Sequence, residues 1–243
     1  MAARRITRVG VGLATAIMAG WLAIHVLSVF FLEIGPQTLL LVPLVIAVQS
    51  WLSVGLFIVA HDAIHGTLAP SHKRLNDAVG RTAITLYGGF DFDRLARDHH
   101  LHHRHSGTEA DPDFSAAHPR NVVLWALTFF WRHLTWRVLV FFPLVFNIEL
   151  HLLGAERLNL LLFFCLPAVV SAFQLFYFGT FLPHQHDDEA HFEDEHRARS
   201  SDYGPLVSLL TCYHFGYHHE HHLHPHVPWW KLPEVRWRHS ETA

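Results

Sequence analysis

The chain has 243 residues, with 18 lysines and arginines against 21 aspartates and glutamates, and a formal charge of −3 when histidine is neutral. Apolar residues make up 51% and charged residues only 16%, against about 25% charged in an ordinary soluble domain, so the composition argues for a membrane protein. No basic run suggests a nucleic-acid partner, and two separated cysteines, Cys165 and Cys212, make neither a disulfide framework nor a CxxC metal site.

The stretch from Val9 to Leu32 carries no charge and follows Arg4, Arg5 and Arg8. It exceeds the roughly 7–15 apolar residues of a signal peptide and is read as a retained transmembrane helix. Gly10-Val11-Gly12 lacks the preceding strand and third glycine of a dinucleotide fingerprint, and reads as helix packing. Gly35-Pro36 makes a turn, and Leu39 to Ala60 forms a second span that runs straight into His61. Asn76 to Phe90 and Val122 to Trp131 are amphipathic enough to lie at the membrane interface. Val138 to Gly154, with Glu149 and His151, is at the short end of the spanning range, whereas Leu158 to Leu182 is a strong span. Trp229-Trp230 beside Lys231 reads as an interfacial anchor. The acidic segment from Asp187 to Glu195 reads as a cover or a solvated loop.

Four spans would put both termini on one face, and of 18 lysines and arginines only Arg157 would fall on the other. Positive charge is retained in the cytoplasm, so that face is expected to be cytoplasmic. The expected fold is an all-α integral membrane protein, residues 1–243 forming one domain of four transmembrane helices under a cytoplasmic helical cap.

Half of the 24 histidines lie in three short stretches: His61 to His65, His99 to His105, and His218 to His224. Helical residues three and four apart share a face. His61 with His65, His99 with His102 and His103, and His218 with His221 and His222 could therefore each converge on one point. Eight imidazoles are too many for one tetrahedral zinc and suit two transition-metal ions. Without cysteine ligands, heme-thiolate and iron–sulfur chemistry are disfavoured. The zinc-protease motif HExxH is absent, since His61 to His65 has Asp for Glu. A metal transporter would need ionisable residues near the bilayer midplane, whereas these clusters sit at helix ends. His25 and His151 read as packing or hydrogen-bonded residues, and His72, His118, His133, His186 and His239 as surface or interfacial residues.

The three boxes HxxxH, HxxHH and HxxHH between paired apolar helices resemble the membrane fatty-acid desaturase and hydroxylase superfamily, non-heme di-iron oxygenases. Several segments narrow the resemblance to the bacterial β-carotene ketolases. They are Trp51 to Phe57 before the first box, Asp111-Pro112-Asp113-Phe114, Phe178 to His184, Ala198 to Ser201, and His214-Phe215-Gly216 before the last box. The resemblance implies oxidation of carbon 4 of a β-ionone ring to a ketone, with β-carotene or its hydroxylated relatives as substrate. It implies two iron ions, oxygen as co-substrate and external electrons from a ferredoxin-type donor docking at arginines such as Arg94, Arg97 and Arg104. Localisation would be the bacterial inner membrane. The implied metal ligands and catalytic residues are His61, His65, His99, His102, His103, His218, His221 and His222, with His184 as a ninth. Acyl-chain desaturases carry Asn one turn before that last histidine, where this chain has Thr180. His214 is a further candidate, and Asp62, Asp98 and Glu220 are candidates for orienting imidazole N–H groups. Alternatives are a membrane lipid desaturase, a carotenoid hydroxylase, or a metal transporter or sensor.

Overall fold

Uninterrupted apolar sequence makes the first two helices long. In the computed structural model, which describes residues 2–186 and 192–240, α1 covers Ala2–Val26 and continues as a π-helical turn, Leu27–Phe31. Helix α2 covers Leu41–Ile64; Pro43 is tolerated because the first turn of a helix has N–H groups to spare. Thus α2 ends four residues later than the apolar pattern suggests, and His61 and Asp62 lie within its last turns. The remaining helices are α3 (Lys73–Gly88), α4 (Phe92–His105), α5 (Val122–His133) and α6 (Trp136–Asn147). Then come the continuous apolar helix α7 (Arg157–His184), α8 (Pro205–Cys212), α9 (His218–Leu223) and α10 (Leu232–Ser240). No strand occurs among the described residues; Ser200 and Tyr217 form one isolated bridge. Of the acidic segment expected at Asp187–Glu195, residues 187–191 lie outside the described residues, as does the side chain of His239.

Among the described residues, three stretches are long and apolar enough to cross a membrane: Ala3–Phe31, Leu41–Ile64 and Arg157–His184. The straight span expected over Val138–Gly154 is instead part of a bent pair, Val122–His133 and Trp136–Leu152, meeting at 83°. The count is therefore three, or four if the bent pair is one span. Polar ties on both sides of the bend account for it. Arg132 donates to the Pro112 carbonyl, His133 Nε2–H donates to Asp113 Oδ1 at 2.9 Å, and Arg137 Nη1 donates to Asp91 Oδ2 at 3.2 Å.

Helix α2 is the central post, packed against α1, α3 and α7. Val54, Leu56, Ile58 and Ala60 are fully buried in its lower half. Helix α3 approaches it closely because Gly80 carries no side chain; a Cβ there would lie 2.4 Å from the Ala63 Cβ. Two asparagines fix the ends. Asn76 Nδ2 donates to the Ala63 carbonyl at 2.8 Å, and its Oδ1 accepts from the Ala69 N–H at 3.2 Å, securing the histidine end of α2. At the opposite end of the bundle, Asn159 Nδ2 faces the carbonyls of Ser28, Val29 and Leu32 at 3.0, 3.2 and 2.9 Å. These are orphan acceptors of a helix C-terminus, and burial makes their satisfaction necessary. His25, expected to be a hydrogen-bonded residue within a span, meets Glu149 at 2.8 Å and stacks on Trp21.

Asn159→Leu keeps the volume and removes the donor shared by these carbonyls. The expected cost is about 1–3 kcal/mol, read as a lower thermal midpoint in detergent. An unchanged midpoint would mean that those carbonyls are satisfied in some other way.

Candidate metal centre

The structure gathers all nine histidines singled out above into two adjacent groups. His61, His65, His99, His103 and His221 form one, and His102, His184, His218 and His222 the other; within each, one ring nitrogen per residue lies within 4.8 Å of all the rest. The helical period explains the partition. Pairs four apart point together: His61 with His65 on α2, His99 with His103 on α4, His218 with His222 on α9. A neighbour one residue away is rotated by about 100° and faces elsewhere. His102 therefore leaves the group of His103, and His221 leaves the group of His222. The adjacent pairs His102–His103 and His221–His222 each straddle both groups, and His184, the last residue of α7, completes the second.

The nitrogens face one another at short range. His65 Nε2 is 2.8 Å from His99 Nε2, and His103 Nε2 is 3.1 Å from His99 Nε2 and 3.0 Å from His221 Nε2. In the second group, His222 Nε2 lies 3.2 Å from His102 Nε2 and 3.1 Å from His218 Nε2. Two of these rings have their tautomer fixed from outside. His102 Nδ1–H is directed at both oxygens of Asp111 at 3.0 Å, and His184 Nδ1–H donates to the Arg197 carbonyl at 2.8 Å beside Ser106 Oγ. Both therefore present a bare Nε2 lone pair inward. Both ring nitrogens of His61 and the Nε2 of His184 are buried without a hydrogen-bond partner. Converging lone pairs repel unless a cation lies between them, so the donor set fits two imidazole-loving metal ions.

Burial also keeps the rings neutral, as metal ligands must be. Burial first, and then the neighbouring imidazoles, hold His99, His218, His221 and His222 well below the usual imidazole value. The same causes take His65 to about 3 and His103 to about 2. His102 goes the other way: burial lowers it, but the charge and hydrogen bonding of Asp111 raise it overall.

Helix α9 has only six residues and is held by its surroundings. Tyr213 and His214 adopt positive φ, 49° and 64°, reversing the chain after α8. Glu220, fully buried, accepts from the Ser200 hydroxyl and from Arg236 Nη1 at 3.0 Å. Ser200 Oγ accepts from the His219 N–H at 3.1 Å, and the Tyr217 hydroxyl donates to the Tyr203 carbonyl at 2.7 Å. Glu220 thus anchors the helix and orients no imidazole in either group. Asp98 pairs with Arg94 at 3.5 Å. Asp62 lies 3.8 Å from His61 Nδ1 and accepts from the Trp229 N–H. His214 belongs to neither group and stacks on Tyr217 and Trp229. The carboxylate that does hold a ligand ring is Asp111, which sequence spacing gives no reason to pair with His102.

A mainly apolar cavity of about 120 Å³ ends on His61, His99, His102 and His218, with Phe57, Phe90 and Phe215 among its walls and Thr180 on one side. Tyr87, Phe90, Phe130, His133 and Ala172 also line a wider cavity of about 560 Å³. That outer chamber is bounded by Trp131 and Val169, which are exposed on the outside of the bundle. His133, expected at the surface or interface, thus lies inside, at the junction of the two chambers; its tie to Asp113 draws it inward.

Two predictions follow from the donor geometry. Asp111→Ala should lower metal affinity about 10–100-fold, measured as metal content after dialysis against a graded chelator, because His102 loses the partner that fixes its tautomer. For pH, His65 and His103 fold with values below the unfolded imidazole value of about 6.5, so the unfolded chain binds more protons. Their contribution to stability is present above about pH 6.5 and is lost as pH falls, through about 3 for His65 and about 2 for His103. The metal-free protein should therefore show a thermal midpoint that declines steadily below about pH 6.5. A flat profile would mean that these rings are solvated.

Residues 34–159 and 115–243 match the family Fatty acid desaturase. A β-carotene ketolase of Paracoccus sp. (strain PC1) is 46% identical over 95% of this chain and 93% of its own length. One from Paracoccus sp. (strain N81106 / MBIC 01143) is 44% identical over 93% of this chain and 91% of its own. A zeaxanthin 4-ketolase of Chlamydomonas reinhardtii is 38% identical over 93% of this chain and 53% of its own length. With the paired histidine groups at its helix ends, the chain belongs to the fatty acid desaturase family and, within it, to the β-carotene ketolases.

Proposed function

We propose that this chain is a carotenoid ketolase that places keto groups at carbons 4 and 4′ of the β-ionone rings of β-carotene and of hydroxylated carotenoids such as zeaxanthin. The observation that carries the reading is the apolar cavity whose inner wall is His61, His99, His102 and His218 and whose outer chamber opens on the side of the bundle. A hydrocarbon ring leaving the bilayer suits that path, because desolvating it costs nothing in either chamber. The relatives named for β-carotene and zeaxanthin ketolation support the choice of substrate.

We place the protein in the bacterial inner membrane as a four-span, multi-pass enzyme with the bent pair as one span and the histidine groups on the cytoplasmic side. Arg4, Arg5, Arg8, Arg132 and Arg137, near the ends of the apolar stretches, support that orientation. Two iron ions suit the site, one held by His61, His65, His99, His103 and His221, the other by His102, His184, His218 and His222. Iron supplies the redox chemistry by which oxygen attacks a C–H bond, which zinc, lacking redox chemistry, does not. An external donor of the ferredoxin type delivers the electrons. Arg94, Arg97 and Arg104 offer it an exposed basic edge on α4, the helix that carries three of the ligands.

The protein's own residues bring the ring to the metals and keep water out. Phe57, Phe90 and Phe215 line the inner chamber. A ring there presents its allylic carbon to the histidine wall, and an allylic C–H bond is weak. Each oxidation consumes one oxygen molecule, two electrons and two protons, inserts one oxygen atom and releases one water. The first converts the methylene to an alcohol. The second converts the alcohol to a gem-diol, which loses water to the ketone.

Two measurements test the reading. Expression in a β-carotene-producing bacterium should yield ketocarotenoids, and alanine at His61, His102 or His221 should abolish them while membrane insertion persists. Oxygen uptake should be two molecules per ketone from β-carotene and one from the 4-hydroxy compound. Anaerobic ketone formation from the alcohol, driven by a nicotinamide cofactor, would overturn the two-oxidation scheme.

A further inference from the structure

The cavity is mainly apolar, yet a hydrogen-bonded carboxylate–imidazole pair interrupts its wall. His133 Nε2–H donates to Asp113 Oδ1 at 2.9 Å, and the two side chains are 16% and 18% exposed. Both residues line the inner chamber, and His133 also lines the outer one. Asp113 lies close to the chemistry: one of its oxygens is within 4.8 Å of a His102 ring nitrogen. The pair is held rigidly. The Asp113 N–H donates to Asp111 Oδ1 at 2.8 Å, the Asp113 carbonyl accepts from Trp125 Nε1–H at 2.9 Å, and the His133 ring packs on Phe129 with centroids 4.5 Å apart. Asp113 Oδ1 is engaged by His133, whereas Oδ2 makes no hydrogen bond among the described residues.

Such a pair is costly in a chamber built only for hydrocarbon. A ring methylene gives the carboxylate nothing to bind, whereas a ring hydroxyl would donate to it. Resting on the ketolase reading, we propose that Asp113 and His133 form an alcohol-binding subsite that holds a ring hydroxyl on, or next to, the carbon being oxidised. Two hydroxyls share this chemistry. One is installed by the first oxidation, and its capture retains the intermediate for the second. The other is already present on the neighbouring ring carbon of a hydroxylated carotenoid. The alternative sites available to a hydroxyl are weaker in this wall. Asp98 is paired with Arg94, and Thr180 carries no charge.

The test compares wild type with Asp113→Ala, Asp113→Asn and His133→Phe in membranes. The substrates are β-carotene, its 4-hydroxy derivative and its 3-hydroxy derivative, supplied separately. Asp113→Ala should lower kcat/KM for a hydroxylated ring about tenfold more than for the plain ring, the scale of one charge-assisted hydrogen bond. The loss should appear chiefly in KM. Asp113→Asn, which keeps an acceptor, should recover part of it, and His133→Phe should follow Asp113→Ala. A selective loss on the 4-hydroxy substrate, with release of that alcohol during β-carotene turnover, identifies the installed hydroxyl as the ligand. A selective loss on the 3-hydroxy substrate identifies the pre-existing one. An equal fall for all three rings, or no fall, overturns the subsite. Wild-type protein gives an independent readout whether or not a variant folds: the 3-methoxy and 4-methoxy rings, which cannot donate, should be poorer substrates than the alcohols, and equal use overturns the proposal. If wild type forms no ketone from any ring, the ketolase reading itself fails and the subsite with it.

Discussion

Nine imidazoles crowded into two buried groups create a conflict that the rest of the fold has to contain. Nitrogen to nitrogen, several rings stand 2.8–3.2 Å apart, and burial holds His99, His221 and His222 among them toward the neutral form. Facing lone pairs repel, so without restraint the rings would rotate away. They are kept in place from behind. Asp111 grips His102, and the Arg197 carbonyl grips His184. Asn76 secures the end of α2 that bears His61 and His65. The apolar post of α2 and the close Gly80 contact with α3 make that end stiff. Preorganisation of this kind lets a metal bind without first ordering its ligands.

Part of this was legible in the sequence because it is local. Spacings of four residues place His61 with His65, His99 with His103 and His218 with His222, whereas the three-apart pairs His99–His102 and His218–His221 divide between the groups; long uncharged runs mark α1, α2 and α7. The division of ligands between two groups is local too, since it follows from the rotation per residue, but it becomes visible only when three helices meet. What could not be read is tertiary. Asp111 reaches His102 through the turns after α4, and the Arg197 carbonyl reaches His184 from the irregular segment that follows α7. The 83° bend between Val122–His133 and Trp136–Leu152 arises from Arg132, His133 and Arg137 tying to loop residues. Hydropathy sums over such a segment and does not register where its polar residues are held. His133 looked like a surface or interfacial residue for the same reason.

The bend also shapes the substrate path. The segment Val122–Leu152 is bent, and its two arms line the path between the chambers. Bent, α5 places Phe129 and Phe130 over the inner chamber while α6 places Val138 and Phe142 beside the outer one. One break therefore connects the exposed flank of the bundle to the histidine groups along mainly apolar walls, the polar points being Tyr87, Asp98, Thr180 and the Asp113–His133 pair.

The two short histidine helices carry different burdens. Helix α4 is long enough to be capped in the ordinary way, with Asp91 accepting from the Arg94 N–H at 2.9 Å. Helix α9 has six residues and could not persist alone. Ser200, Tyr203, Arg236 and Asp194 clamp it, and all of them reach it from chain segments that hold none of the nine histidines. Glu220 is the hinge of that arrangement. It is buried between the ligands His218 and His221 in sequence, yet its charge is spent on Arg236 and Ser200, on the side away from the metal groups. Because His221 and His222 are adjacent on this one short helix, any shift of α9 moves a ligand of each group at once. The separation between the two histidine groups is thus fixed by backbone geometry on α4 and α9, and the clamps that hold α9 still also keep that separation constant.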